Sequence, residues 1–274
     1  MLYRTYIPGP PLSDFVEMFW FHQGQDSPHA KERVLPNGSM ALIINLGEDR
    51  FRVYDSRNHD LIESLPGSIV AGARSEYAVI DSPNRASLIG VHFKPGGGFP
   101  FFKLPAGELH NESVSLEMLW GAWARELRER LLEQDTPESM FGILERALMS
   151  QAIRAARPRW RHPAVAFALE EFHSDKPTIA DVTDRIGLSP RRFIQLFNEE
   201  VGLTPKLFCR IRRFQEVLTL IAHPHEVDWT HMALTCGYFD QAHFIHDFRA
   251  FSGISPTTYL ANRSQYQNHV PLHE

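Results

Sequence analysis

Arg191, Gln195 and Asn198 stand at helical spacing, and 51 residues later Ala242, His246 and Arg249 occupy the matching places. Arginine, glutamine, asparagine and histidine carry hydrogen-bonding groups that fit base edges and phosphates, and an alanine or isoleucine can touch a thymine methyl. Gln241, His243 and Ile245 flank the second set. Taken singly, such residues describe any wet helix face. Their recurrence favours a pair of readers, because a protein-binding module gains little from two matched faces held at a fixed separation.

The elements that must hold these side chains repeat with the same offset. Phe193 pairs with Phe244, Phe197 with Phe248, Gly202 with Gly253, Leu203 with Ile254, Thr204 with Ser255 and Pro205 with Pro256. At about 100° per residue, Phe193, Leu196 and Phe197 face a core while Arg191, Gln195 and Asn198 lie opposite. Each copy closes on Gly-aliphatic-hydroxyl-Pro, in which glycine takes the left-handed position after one helix and the hydroxyl residue caps the next, whose first residue is proline.

Upstream of each reader a short helix is expected. Thr178 and Asp181 form a capping box for one with Ile179, Val182 and Ile186 inward, before Gly187 breaks it and Ser189-Pro190 opens the next. Asp228 caps the other, with Trp229, Met232, Ala233 and Cys236 inward, before Gly237 breaks it and Asp240 opens the next. The reading helices are expected over about 189–201 and 240–252, each the second half of a helix-turn-helix. Between the units, Leu207, Phe208, Ile211, Phe214, Val217, Leu218 and Ile221 predict one helix from Thr204 to about Ala222. Its roughly 27 Å, with the width of the units added, reaches the roughly 34 Å between successive major-groove faces of B-DNA.

The run Gly237-Tyr238-Phe239-Asp240-Gln241-Ala242-His243-Phe244, with Phe248, Gly253-Ile254-Ser255-Pro256 and Tyr259, resembles the signature of the AraC/XylS family of bacterial transcription activators, over about Pro163 to Asn262. The resemblance implies a seven-helix DNA-binding domain and base reading at the positions of Arg191, Ile194 and Gln195, then Gln241, Ala242, His243 and His246. It departs from the family where Gln195 and His246 replace arginines, which removes the usual bidentate partner of guanine from both readers. Leu35-Pro36-Asn37-Gly38, Gly90-Val91-His92-Phe93-Lys94-Pro95-Gly96-Gly97 and Leu116-Glu117-Met118-Leu119-Trp120-Gly121 resemble the amino-terminal domain of one branch of that family. This implies a sensor or dimerisation domain built as a cupin-like barrel.

The residues of that first part agree with a β-rich fold. Short apolar runs at Phe15–His22, Met40–Leu46, Phe51–Tyr54, Ser68–Ala71, Glu76–Ile80 and Ser87–Lys94 predict strands, set apart by turns such as Pro36-Asn37-Gly38, Pro66-Gly67, Ser82-Pro83-Asn84 and Gly96-Gly97-Gly98. From Ser115 to Ala156 the period changes, and two amphipathic helices are expected with charged outer faces that either meet water or rim a dimer seam. Arg157-Pro158-Arg159-Trp160-Arg161-His162-Pro163 reads as a boundary. The expected plan is therefore α+β: a β-rich sensor or dimerisation domain with carboxy-terminal helices (1–156), a linker (157–162), an all-α double helix-turn-helix domain (163–262) and a flexible tail (263–274).

Composition agrees and excludes several classes. The chain has 274 residues, 43% hydrophobic and 22% charged, with a formal charge of −5. Residues 157–263 hold 13 basic against 12 acidic side chains and residues 1–156 hold 15 against 20, so DNA contact must depend on where a few arginines point. The prolines near the start argue against a secretory leader and no long apolar run suggests a membrane span, placing the chain in the bacterial cytoplasm, on the nucleoid when bound. Cys209 and Cys236 read as buried bystanders. His22, His92 and His110 have no metal-ligand spacing, Gly96-Gly97-Gly98 lacks the rest of a phosphate loop, and no nucleophile motif is present, so neither metal, cofactor nor catalysis is expected. Phe19-Trp20-Phe21, Trp120 and Trp123 read as core sooner than as an effector pocket. The expected partners are double-stranded DNA and RNA polymerase, with a small-molecule effector and a second copy of the chain as further candidates. The rivals are a cupin-like enzyme with a DNA-binding tail and a protein-interaction module.

Overall fold

The computed structural model describes residues 2–24, 30–55, 58, 60, 62–82, 87–102, 104–154, 161–173, 178–222 and 227–272. The amino-terminal half contains β1 (Leu2–Tyr6), β2 (Val16–Gln23), β3 (Lys31–Val34), β4 (Ala41–Asn45), β5 (Arg50–Tyr54), β6 (Ile62–Pro66), β7 (Ser68–Ala71), β8 (Ala78–Asp81), β9 (Ser87–Phe93) and β10 (Ser113–Ser115). They form two antiparallel sheets, β1-β2-β9-β4-β7-β10 and β3-β8-β5-β6, which among the described residues do not join into one closed barrel. Alternation along the strands selects one face of the larger sheet: Phe19, Phe21, Leu42, Ile44, Val70, Ile89 and Val91 all belong to the buried core there. Covering that face are α1 (Leu116–Trp120), α2 (Trp123–Leu132) and α3 (Pro137–Arg154) through Leu116, Leu127, Leu131, Leu144 and Leu148.

Three helices stand where periodicity suggested two, because Gly121 at φ 66° stops α1 before α2 begins. Phe19, Phe21 and Trp120 are packed in the core of the larger sheet, Trp123 is half-buried against it, and Trp20 lies outside it, stacked on His92. The Trp120 indole N–H donates to the Phe101 carbonyl at 2.9 Å and its ring stacks on Phe102. All six anticipated strand regions contain a strand, although β8 starts two residues late, at Ala78. The turn at Pro83-Asn84 and residues 157–160 of the anticipated linker lie outside the described residues.

The carboxy-terminal half contains α4 (Pro163–His173), α5 (Ile179–Ile186), α6 (Pro190–Val201), α7 (Pro205–Leu220), α8 (Trp229–Thr235), α9 (Gln241–Ser252) and α10 (Pro256–Asn262). Its core is built on Phe193, Phe197, Phe208, Phe214, Phe244 and Phe248, each fully shielded from solvent. Within this apolar core Asp247 is 2% exposed, and the Arg210 guanidinium of α7 grips it with contacts of 2.7 Å to Oδ1 and 3.3 Å to Oδ2. A carboxylate removed from water is tolerated only when so paired, and the pair ties α9 to one turn of α7.

Residues 263–272 are not a free tail. His269–Leu272 form β11, which pairs with β3 at the edge of the smaller sheet, opposite residues 34 to 31. Pro271 is acceptable there because an edge strand has one unpaired side. Val270 is 1% exposed, and the His269 ring nitrogen Nδ1 meets Glu32 Oε1 at 2.7 Å. The segment that follows the all-α domain thus completes a sheet of the other domain. Leu35 and Ala73 of the first half in turn belong to the core of the second.

The described end of the linker is anchored as well. Arg161 donates to the Pro95 carbonyl at 2.9 Å, and the His162 backbone N–H donates to both carboxylate oxygens of Glu200, at 3.0 and 3.1 Å. Burial pushes the Glu200 carboxyl up to about 7, against the opposing pull of the His162 N–H and the Arg161 charge. A carboxyl raised in the folded state holds its proton more tightly folded than unfolded. Its favourable contribution is complete below the ordinary value of 4.5 and is lost as pH climbs to about 7. Glu200→Gln is therefore expected to flatten the fall in melting temperature between those limits; equal slopes in the two proteins would show that Glu200 is not its source. Arg210→Ala leaves Asp247 buried without a partner and is expected to cost about 3 kcal/mol in denaturant unfolding, whereas a loss below about 1 kcal/mol, the size of an exposed pair, would contradict the locking role.

Candidate nucleic-acid interface

Each unit is built from local rules in the same way. Thr178 and Asp181 form the reciprocal capping box of α5, and Gly187 ends that helix at φ 72°. The Ser189 side chain accepts from Arg192 N at the start of α6, with Pro190 next, and Gly202 ends α6 at φ 84°. In the second unit Asp228 accepts from Thr230 N and His231 N to start α8, Asp240 accepts from His243 N to start α9, and Gly253 ends it at φ 72°. Thr204 and Ser255 cap the helices that follow, so the repeated Gly-aliphatic-hydroxyl-Pro does one job twice.

The caps and the phenylalanine stripe together decide which side chains remain outside. On α6, Arg191, Ile194 and Gln195 are exposed, and Gln195 Nε2 donates to Glu199 at 2.8 Å. On α9, Ala242, His246 and Arg249 are exposed, while Gln241 and His243 are half-buried. Gln241 Oε1 accepts from the Thr230 hydroxyl at 3.3 Å, which links α8 to the start of α9. His243 stands edge-on to Tyr238 and has Nε2 3.8 Å from Asp247, so the Arg210–Asp247 lock also orients a residue of the open face.

Asn198 differs from the other members of the set. It is half-buried, and its amide lies against Gly107 in the 3-10 turn Ala106–Leu109, where a side chain on that glycine would collide with it. The outward position read from the helix wheel faces the neighbouring domain. Sequence reasoning also passed over Phe239, which is 86% exposed in the turn before α9, and Arg192, exposed beside Arg191. The signal for Phe239 was a large aromatic inside a glycine-started turn, where no helical stripe can bury it.

Other candidate groups are not brought together. His110 Nε2 meets the Ser75 hydroxyl at 3.0 Å, whereas His92 stacks on Trp20 and is held down to about 4 by burial, then by His269. Among the described residues no group of three or more His, Cys, Asp or Glu is placed to hold a metal ion. Cys236 is buried, and Cys209 is half-buried with its thiol pushed up to about 11 by burial. Among the described residues no helix is long and apolar enough to cross a membrane.

Comparison with known proteins meets this geometry in the second half. A family model described as a helix-turn-helix domain matches residues 182–262, and a domain of unknown function, DUF6597, matches residues 4–115. The chain is similar to the probable transcriptional regulator LumQ of Photobacterium leiognathi, at 26% identity over 50% of this chain and 56% of that protein. It is also similar to the HTH-type transcriptional activator RhaS of Escherichia fergusonii, at 31% identity over 32% of this chain and 31% of that protein. The matches thus span about half or less of the length of these curated relatives. Among solved structures, ToxT of Vibrio cholerae O395 aligns at a TM-score of 0.46 and 10% identity over 89% of this chain and 97% of that one. Residues 182–262 therefore carry a helix-turn-helix domain, and through that half the chain is similar to transcription regulators.

Proposed function

We propose that the chain is a sequence-specific DNA-binding regulator that lays α6 and α9 into adjacent major grooves of one duplex. The observation that carries this reading is the twofold unit itself, in which a shielded phenylalanine stripe turns Arg191, Ile194 and Gln195 outward in one copy and Ala242, His246 and Arg249 in the other. Gln241 and His243 stand at the entry edge of the second reader, where helix N-termini approach base edges. Arg191 and Arg192 supply phosphate or guanine contacts, and the glutamines suit adenine. Asn198 reaches DNA only if its contact with Gly107 opens.

The same reading gives the amino-terminal domain a regulatory part, as a cupin-like sensor for a small molecule or as a self-association surface. Exposed Met118, Leu132 and Ile153 on its helices support the second role. RNA polymerase is the partner that a DNA-bound activator in the bacterial cytoplasm would engage. The function is binding, with no reaction to catalyse.

A pool of random duplexes titrated with purified protein at about 150 mM salt tests it, because selective retention separates a reader from a sticky surface. The expected product is a motif with two blocks about 10 base pairs apart. Arg191→Ala combined with Gln241→Ala is expected to lose roughly 100-fold in affinity for that motif, about 1–3 kcal/mol for each lost base contact. Retention without any motif, or a double variant that binds as tightly as the parent, would contradict the reading.

A further inference from the structure

The repeat that duplicates the reading helix also duplicates the way each unit rests on the amino-terminal domain. Gly202 ends α6 and Gly253 ends α9 at equivalent places 51 residues apart, both at positive φ. A Cβ on Gly202 would lie 3.0 Å from the Ala106 carbonyl oxygen and 3.4 Å from Ala73 Cβ. A Cβ on Gly253 would overlap the Tyr77 ring, 2.7 Å from Cζ. Ala106 and Tyr77 both belong to the first half of the chain, so one body supports the end of both readers.

Further contacts hold the same body against the connector and the second unit. Gln215 of α7 donates to the Pro36 carbonyl and to Asn268 Oδ1, each at 2.8 Å, and the Phe208 ring lies 3.4 Å from where a Cβ on Gly38 would stand. The Tyr259 hydroxyl of α10 donates to the Gln267 carbonyl at 2.9 Å, just before β11 joins the smaller sheet, and the Tyr259 ring packs edge-on against Phe248 of α9. The path from β11 to the second reader is therefore a chain of direct contacts.

A connector helix alone is a poor ruler for base pairs. A tilt of about 10° over the roughly 24 Å of a 16-residue helix displaces its far end by about 4 Å, more than the 3.4 Å rise of one base pair. A third body touching both units removes that freedom. We propose that the amino-terminal domain sets the separation of α6 and α9, with Tyr77 and the Ala106-Gly107 turn as positioning residues that determine which spacing of base blocks the chain accepts. These residues need not touch DNA to do so. The proposal rests on α6 and α9 being the base readers.

Random-duplex selection on the parent, Tyr77→Ala and Gly107→Leu tests it, the first variant removing one seat and the second wedging the other apart at Asn198. Both variants are expected to recover the same bases within each block, with block separations spread over two or three values, and to bind the parent's site about tenfold more weakly. Tyr77→Phe keeps the ring and is expected to keep the parent's single separation. Far-UV circular dichroism and melting identify variants that fold, and the two seats are altered independently, so loss of one variant leaves the other to decide. The parent is tested in addition on its own site with one base pair inserted between the blocks, where about tenfold weaker binding is expected. Folded variants with the parent's separation, or a parent indifferent to the insertion, would overturn the platform. A parent that recovers no motif would instead overturn the base-reading assignment.

Discussion

Two short helices can act on one duplex only if each is held in a fixed direction, and for α9 that constraint rests on a buried charge. Asp247 lies on the inner side of α9 among Phe244, Phe248 and Phe251, where the Arg210 guanidinium of α7 reaches it and also covers the Phe251 ring at 5.2 Å. Aromatic packing supplies cohesion, but it is forgiving of small slips along a helix. An ion pair out of water is not, because moving α7 by a turn would strand a carboxylate. The outward face of α9 inherits its direction from that choice, and His243 of the same helix has Nε2 3.8 Å from the same carboxylate.

Local and periodic features of this chain were legible before any coordinates. The offset that pairs Phe193 with Phe244 also places both positive-φ glycines, and α6, α7 and α9 start and stop within two residues of the expected bounds, since caps and glycine turns are written in neighbouring residues. What escaped was non-local. β1, β3, β6 and β10 are short or polar runs without clear alternation, and β11 contains a proline. Its partner lies far away in the sequence, with His269 meeting Glu32 across 237 positions. Strand pairing at such a distance leaves no trace in a window of ten residues.

The candidate site divides along the same line. The 3.6-residue period correctly separated Phe193, Leu196 and Phe197 from Arg191 and Gln195, because burial within one domain follows helix geometry. It placed Asn198 outside as well, yet that face meets the Ala106–Leu109 turn of another domain, which a helix wheel cannot represent. The tail was misjudged for the same reason. Arg161, His162 and Val270 look like boundary or terminal residues by composition, and each is held by groups from a distant segment. The two halves therefore touch at several points, from Arg161 on Pro95 to the pairing of β3 with β11.

Hydroxyl-radical footprinting of the full chain on its own selected duplex addresses the central claim most directly. Two recognition helices in adjacent major grooves predict two protected patches on one face of the duplex, about 10 base pairs apart. A single patch, or protection spread evenly along the duplex regardless of sequence, would contradict it.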